Sequence, residues 1–166
     1  MFNKNLLFIF LLIIGVLNAC QQRKTSAKQY HNEINTALDT IIPYFISLDD
    51  DIALDSTSKA KTHFKQLQNV VNSTEAFISS KSSFPNESTY YENAHNLSLF
   101  YKSYTDNEIK KVLEQINLHP NDPVLKESAR VVFVKFYEKE QLILNDYNKS
   151  SIDFTYKYKI YKANAQ

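Results

Sequence analysis

The stretch STYYENAHNLSLFYKSY, residues 88–104, places Tyr90, Ala94, Leu97, Tyr101 and Tyr104 at spacings of four, three, four and three. That is the repeat of one face of an α-helix, with mostly polar residues between. The same period extends in both directions. Upstream, Ala60, Phe64, Leu67, Val71 and Ile78 share a face over 56–80, with Val70 and Phe77 beside it. Before that, Tyr30, Ile34, Leu38, Ile41, Phe45 and Leu48 recur over 28–48. Pro43 interrupts this run: it lacks an N–H and clashes with the carbonyl of Asp39, so a kink or an early stop is expected. Asp49, Asp50 and Asp51, with Asp55 after them, read as a loop or a frayed helix end.

Downstream, Thr105-Asp106-Asn107-Glu108 has the form of a capping box, and Ile109, Val112, Leu113 and Ile116 follow. The third helix therefore either runs through or divides near Thr105. His119-Pro120-Asn121-Asp122-Pro123 is a break, with Asp122 placed to cap a new helix and Pro123 at its first position. Leu125, Ala129, Val132, Phe136, Ile143 and Tyr147 form the stripe of that last helix. From Ile152 to Ile160 the pattern fits both an alternating strand and a helix carrying 152, 156 and 160 on one face; helix is the preferred expectation.

The single glycine, Gly15, lies outside all these segments. Hairpin turns of positive φ are most cheaply built with Gly, so a many-stranded sheet is disfavoured. The expected fold is all-α: an antiparallel up-down bundle of four helices, or five if the third divides.

The first twenty residues are of another kind. Lys4 precedes an apolar run, Leu6–Leu17, and then Asn18-Ala19-Cys20. Twelve helical residues cover about 18 Å, short of a ~30 Å hydrocarbon core, so an export signal fits better than a permanent span. Leu17-Asn18-Ala19-Cys20 resembles the lipobox of bacterial lipoproteins, with Asn18 the one departure from its pattern. The resemblance covers residues 1–20 only, and the rest of the chain is similar to helical bacterial surface lipoproteins in general character alone. It implies a signal peptide at 1–19, cleavage before Cys20, and fatty acylation of Cys20, with palmitate among the acyl groups. Gln21, in place of Asp, implies the outer membrane of the cell envelope. The polar residues after Cys20 read as a tether over 20–27, leaving the bundle domain at 28–166.

Charge and composition narrow the activity. With Lys4 set aside, the basic residues fall by one to match the 18 acidic ones. Nucleic-acid binders carry a basic excess on one face, and none is visible, so no nucleic-acid partner is expected. Glycine-dependent phosphate loops and nucleophile elbows cannot be built, and the only Cys is committed to lipid. No catalytic residue and no cofactor is therefore expected. Glu92 and His95 have the Glu-x-x-His spacing of di-iron bundles and are the candidate metal ligands, without the second such pair that the chemistry requires. An EF-hand at the aspartate run is excluded by the missing Gly. Tyr90, Tyr91, Tyr101, Tyr104, Tyr156, Tyr158 and Tyr161 could present an aromatic patch, or pack the bundle. The expectation is a membrane-anchored envelope protein with a non-catalytic domain that binds an envelope or surface protein. The alternative is a small-ligand or metal-binding envelope module.

Overall fold

The computed structural model describes residues 24–54, 56–119 and 122–160; the leader and Cys20 lie outside them. The described chain is almost wholly helical. Helix α1 covers 24–39 and α2 Ile42–Ala53, α3 runs Thr57–Ser79, and α4 runs Thr89–Tyr104. A π-turn over Thr105–Ile109 leads straight into α5, Lys110–Leu118, and α6 spans Pro123–Lys157. Four rods result: α1–α2, α3, α4–α5 and α6.

The rods run up and down in sequence. At one end Tyr30 of α1 has its ring 5.4 Å from Phe84, in the α3–α4 loop, and 6.0 Å from Phe154 near the end of α6. At the other end Asp51 of α2 meets His63 of α3. Each rod packs against its two neighbours, α3 and α6 filling the space between the other two. This is the antiparallel four-helix bundle that the periodicity predicts.

Proline 43 breaks the first rod as expected. The amide of Ile41 turns back to Leu38 at 3.1 Å, and α2 starts with Pro43 in its first turn. The carbonyl of Ala37 is taken instead by the hydroxyls of Thr40 at 2.6 Å and of Thr74, from α3, at 3.2 Å. A half-buried carbonyl freed by the break thus has a partner from the facing helix.

Some expectations need correction, and the open question at Thr105 is answered. Asp49, Asp50 and Asp51 belong to α2, because Leu48 and Ile52 on either side are buried and Asp51 has a partner in His63. Thr105 is no N-cap: its φ and ψ of −63° and −47° are helical, and the rod continues through the π-turn. On α6 the expected stripe holds, with Ala129, Phe136 and Tyr147 buried and Leu125, Val132 and Ile143 packed half-buried against the core; Phe133, Ser150 and Phe154 are buried with it, whereas Ile152 points outward. The tail is helical to Lys157, and Lys159, at φ 53°, ends it; its inner face is 154 and 158, not 152 and 156. Of the stretch 20–27 read as a tether, residues 24–27 are helical and Ala27 is fully buried, so these four belong to the bundle.

Asp122 caps α6 as expected, its carboxylate accepting from the amide of Val124 at 2.8 Å. Phe136 is the centre of the core. It stacks on Phe45 at 4.1 Å and lies within 5.4–6.1 Å of Tyr104, Phe100 and Tyr101. No helix among the described residues is long and apolar enough to cross a membrane.

Candidate functional site

Sequence reasoning singled out Cys20, which is outside the described residues, and the pair Glu92 and His95. Glu92 is exposed on the first turn of α4. His95 lies flat on Tyr91 and shares a 3.0 Å hydrogen bond with the hydroxyl of Ser79, which donates to Glu75 at 2.6 Å. Among the described residues no three His, Cys, Asp or Glu side chains gather where a metal ion could sit. The aspartates of α2 diverge: Asp51 faces His63 at 2.5 Å, while Asp49 accepts from the Tyr137 hydroxyl at 3.2 Å. Of the tyrosines, Tyr90, Tyr101, Tyr104 and Tyr158 are buried in the bundle, so they do not form a surface patch.

The most unusual chemistry lies inside, where α1, α4 and α6 meet. Asn35 of α1 accepts at its side-chain oxygen from the hydroxyls of Tyr90, at 2.9 Å, and Tyr147. Its amide nitrogen faces the ring of His31, one turn earlier, at 3.3 Å. His31 Nε2 pairs with Ser151 Oγ at 2.8 Å. The Asn35 amide nitrogen is equally close, 3.3 Å, to both ring nitrogens, so it lies over the imidazole. The imidazole is sandwiched between Tyr90, at 5.3 Å, and Phe154, at 5.9 Å. A second polar contact lies further along α6, where Tyr101 donates to Glu140 at 2.7 Å.

Burial sets the electrostatics of this cluster. It lowers the pKa of His31, so the ring is neutral at pH 7. It pushes the Tyr147 phenol up to about 12, and raises Tyr90 and Tyr101 further, with the nearby hydroxyl of Tyr147 and carboxylate of Glu140 adding to the rise. Burial also raises the carboxyl of Glu140, against the hydrogen bond from Tyr101. The phenols are therefore protonated donors at neutral pH and none is a ready nucleophile or base.

Comparison with known protein families, curated proteins and solved structures finds no match.

What the cluster can do is hold three helices at one depth. Buried polar groups need matched partners, and these match only in one register. The sequence carried no local sign of it, because the contacts join residues 55 to 120 positions apart. The one visible hint is the i, i+4 pair His31 and Asn35 on the apolar face of α1. At the far end of the bundle, Asp51, Ile52, Ala60, Leu113 and Ile116 line a cleft whose interior volume is about 20 Å³. That is room for a water molecule and no more.

Proposed function

We propose that this chain is a lipid-anchored envelope protein, most consistent with the outer membrane, whose helical domain works by contact with another envelope or surface protein rather than by catalysis. The observation that carries the anchor is the coincidence of Leu6–Leu17, the Leu17–Cys20 motif and the chain's only cysteine. The thiol is the nucleophile in thioether formation with a diacylglyceryl group. Two or three acyl chains at Cys20 hold a protein lastingly, where one would not. Helical structure at residue 24 leaves about 14 Å of chain at most between the anchor and the bundle. Such a spacer keeps the domain against the lipid surface.

The interaction role is supported by the filling of the interior. Aromatic side chains occupy the bundle axis, the polar cluster satisfies itself, and protonated phenols offer no reactive group at neutral pH. The alternative, metal binding at Glu92 and His95, draws no support from their placement, since His95 is already engaged by Ser79.

The test of the anchor is metabolic labelling of cells with radioactive palmitate. The wild-type chain takes up label and loses its leader, whereas Cys20→Ser does neither. Label retained by Cys20→Ser refutes the reading.

A further inference from the structure

Helix α6 is amphipathic twice over. Its inner face fills the core, and its opposite face carries Val124 (69% exposed), Val131 (42%), Val134 (56%), Leu142 (70%) and Ile152 (54%). At 3.6 residues per turn these five fall within an arc of about 80°. Glu127, Lys135, Glu138 and Lys149 are exposed among them. No other rod packs there, since α6 meets its neighbours through the inner side. Five large apolar side chains spaced along one exposed face, with charges set between them, make a mixed surface that a partner can cover.

From this row we infer that α6 pairs with α6 of a second copy of the chain, antiparallel, about a two-fold axis at Glu138. The charges choose the occupant and the direction. Around that axis Glu127 comes opposite Lys149 of the second copy, and Lys149 opposite Glu127. Val124 meets Ile152 and Val134 meets Leu142; the two Glu138 carboxylates meet at the axis, each within a turn of the other copy's Lys135, and Glu127, 3.4 Å from Arg130 of its own helix, is shared between that cation and Lys149 of the second copy. A parallel pairing would set Glu127 against Glu127 and Lys149 against Lys149, which repel. A self-complementary patch of this kind is what an isologous dimer requires. The helix is about 52 Å long, and a strip about 10 Å wide along it removes on the order of 1,000 Å² from the two copies together. That is the lower limit for a specific interface, so the dimer is a reversible one. The inference does not rest on the lipid anchor. If the anchor is present, the two-fold sets the amino termini at opposite ends of the pair, and both reach one lipid surface when the bundles lie along it.

The test is disulfide trapping in cells expressing the full chain. Glu138→Cys places a thiol at the axis, and Asn69→Cys, exposed on α3, is the control; the unsubstituted chain gives the background from Cys20. With oxidant, Glu138→Cys gives a homodimer on non-reducing gels on the order of 10²-fold faster than Asn69→Cys, the ratio of a millimolar effective concentration to micromolar encounter. Adding Glu127→Lys slows trapping several-fold, and Lys149→Glu on top of it restores the rate. Trapping no faster than the control, an adduct of other mass, or failure of the charge swap to restore the rate overturns the inference.

Discussion

Replacing Asn35 by Ala tests whether the buried polar cluster holds the bundle together. Asn35 Oδ1 receives two phenolic hydroxyls, those of Tyr90, fully buried, and Tyr147, 6% exposed. After truncation Tyr90 still reaches the His31 carbonyl at 3.3 Å. Tyr147 keeps only the Tyr90 hydroxyl at 3.4 Å, a long contact to a group already donating elsewhere. One buried hydroxyl is thus stranded, which costs about 1–3 kcal/mol. Tyr147→Phe removes the donor instead and leaves Asn35, which is half-exposed and can turn to water, so its cost is nearer 1 kcal/mol. The double variant strands no phenol, and the His31 ring's loss of the Asn35 amide is common to it and to Asn35→Ala, so it cancels in the comparison. It is therefore less destabilised than the sum of the singles, by about 1–2 kcal/mol. Urea unfolding measures this: with a slope of about 2 kcal/mol/M, Asn35→Ala moves the midpoint down by about 1 M at constant slope. Strict additivity of the two substitutions, or a midpoint unmoved by Asn35→Ala, refutes the reasoning.

His31 is neutral and its pKa is lowered by burial, so the unfolded chain takes up a proton first as pH falls. Its contribution is intact above the unfolded value of about 6.5 and is lost as pH drops below it. Melting temperature followed downward from pH 7.5 shows this loss, and His31→Gln flattens that part of the profile. Thr105 has a buried hydroxyl without a partner. Thr105→Val removes that group at equal shape and raises stability by about 1 kcal/mol in chemical denaturation. Phe136→Ala empties the centre of the aromatic core and lowers stability by about 3–5 kcal/mol by the same assay.

The parts of this fold that could be read from the chain are those decided by backbone chemistry. Pro43 and the Asp122-Pro123 pair mark their boundaries because a missing N–H and a capping carboxylate act locally. The stripe from Tyr90 to Tyr104 was legible because polar residues flank it. Helix α6 is less so, since valines and leucines occur around its whole circumference: Leu125 and Val132 do pack inward, but the spacing passes over Phe133, which is core, and Ile152 is exposed. The aspartates at 49–51 suggested a loop because the partner of Asp51 sits 12 residues further on, in another helix. The interior cluster depends on the same kind of distant pairing. Hydrogen bonds between helices leave no period in the sequence, so only the folded chain reveals them.

The π-turn at Thr105–Ile109 makes the third rod one residue longer than an unbroken α-helix would be for the same two faces. The buried series shows the shift: it passes from Tyr101 and Tyr104 to Ile109, Val112 and Ile116, one step late. Removing a residue elsewhere along the rod would swing everything beyond it by about 100° and turn half the apolar side chains to water. Removing Asn107, exposed within the turn, closes the wide loop to an ordinary one and leaves both halves facing inward. Length can change in this rod at a single slack point, and that point coincides with the one buried hydroxyl, among the described residues, that the interior fails to bond.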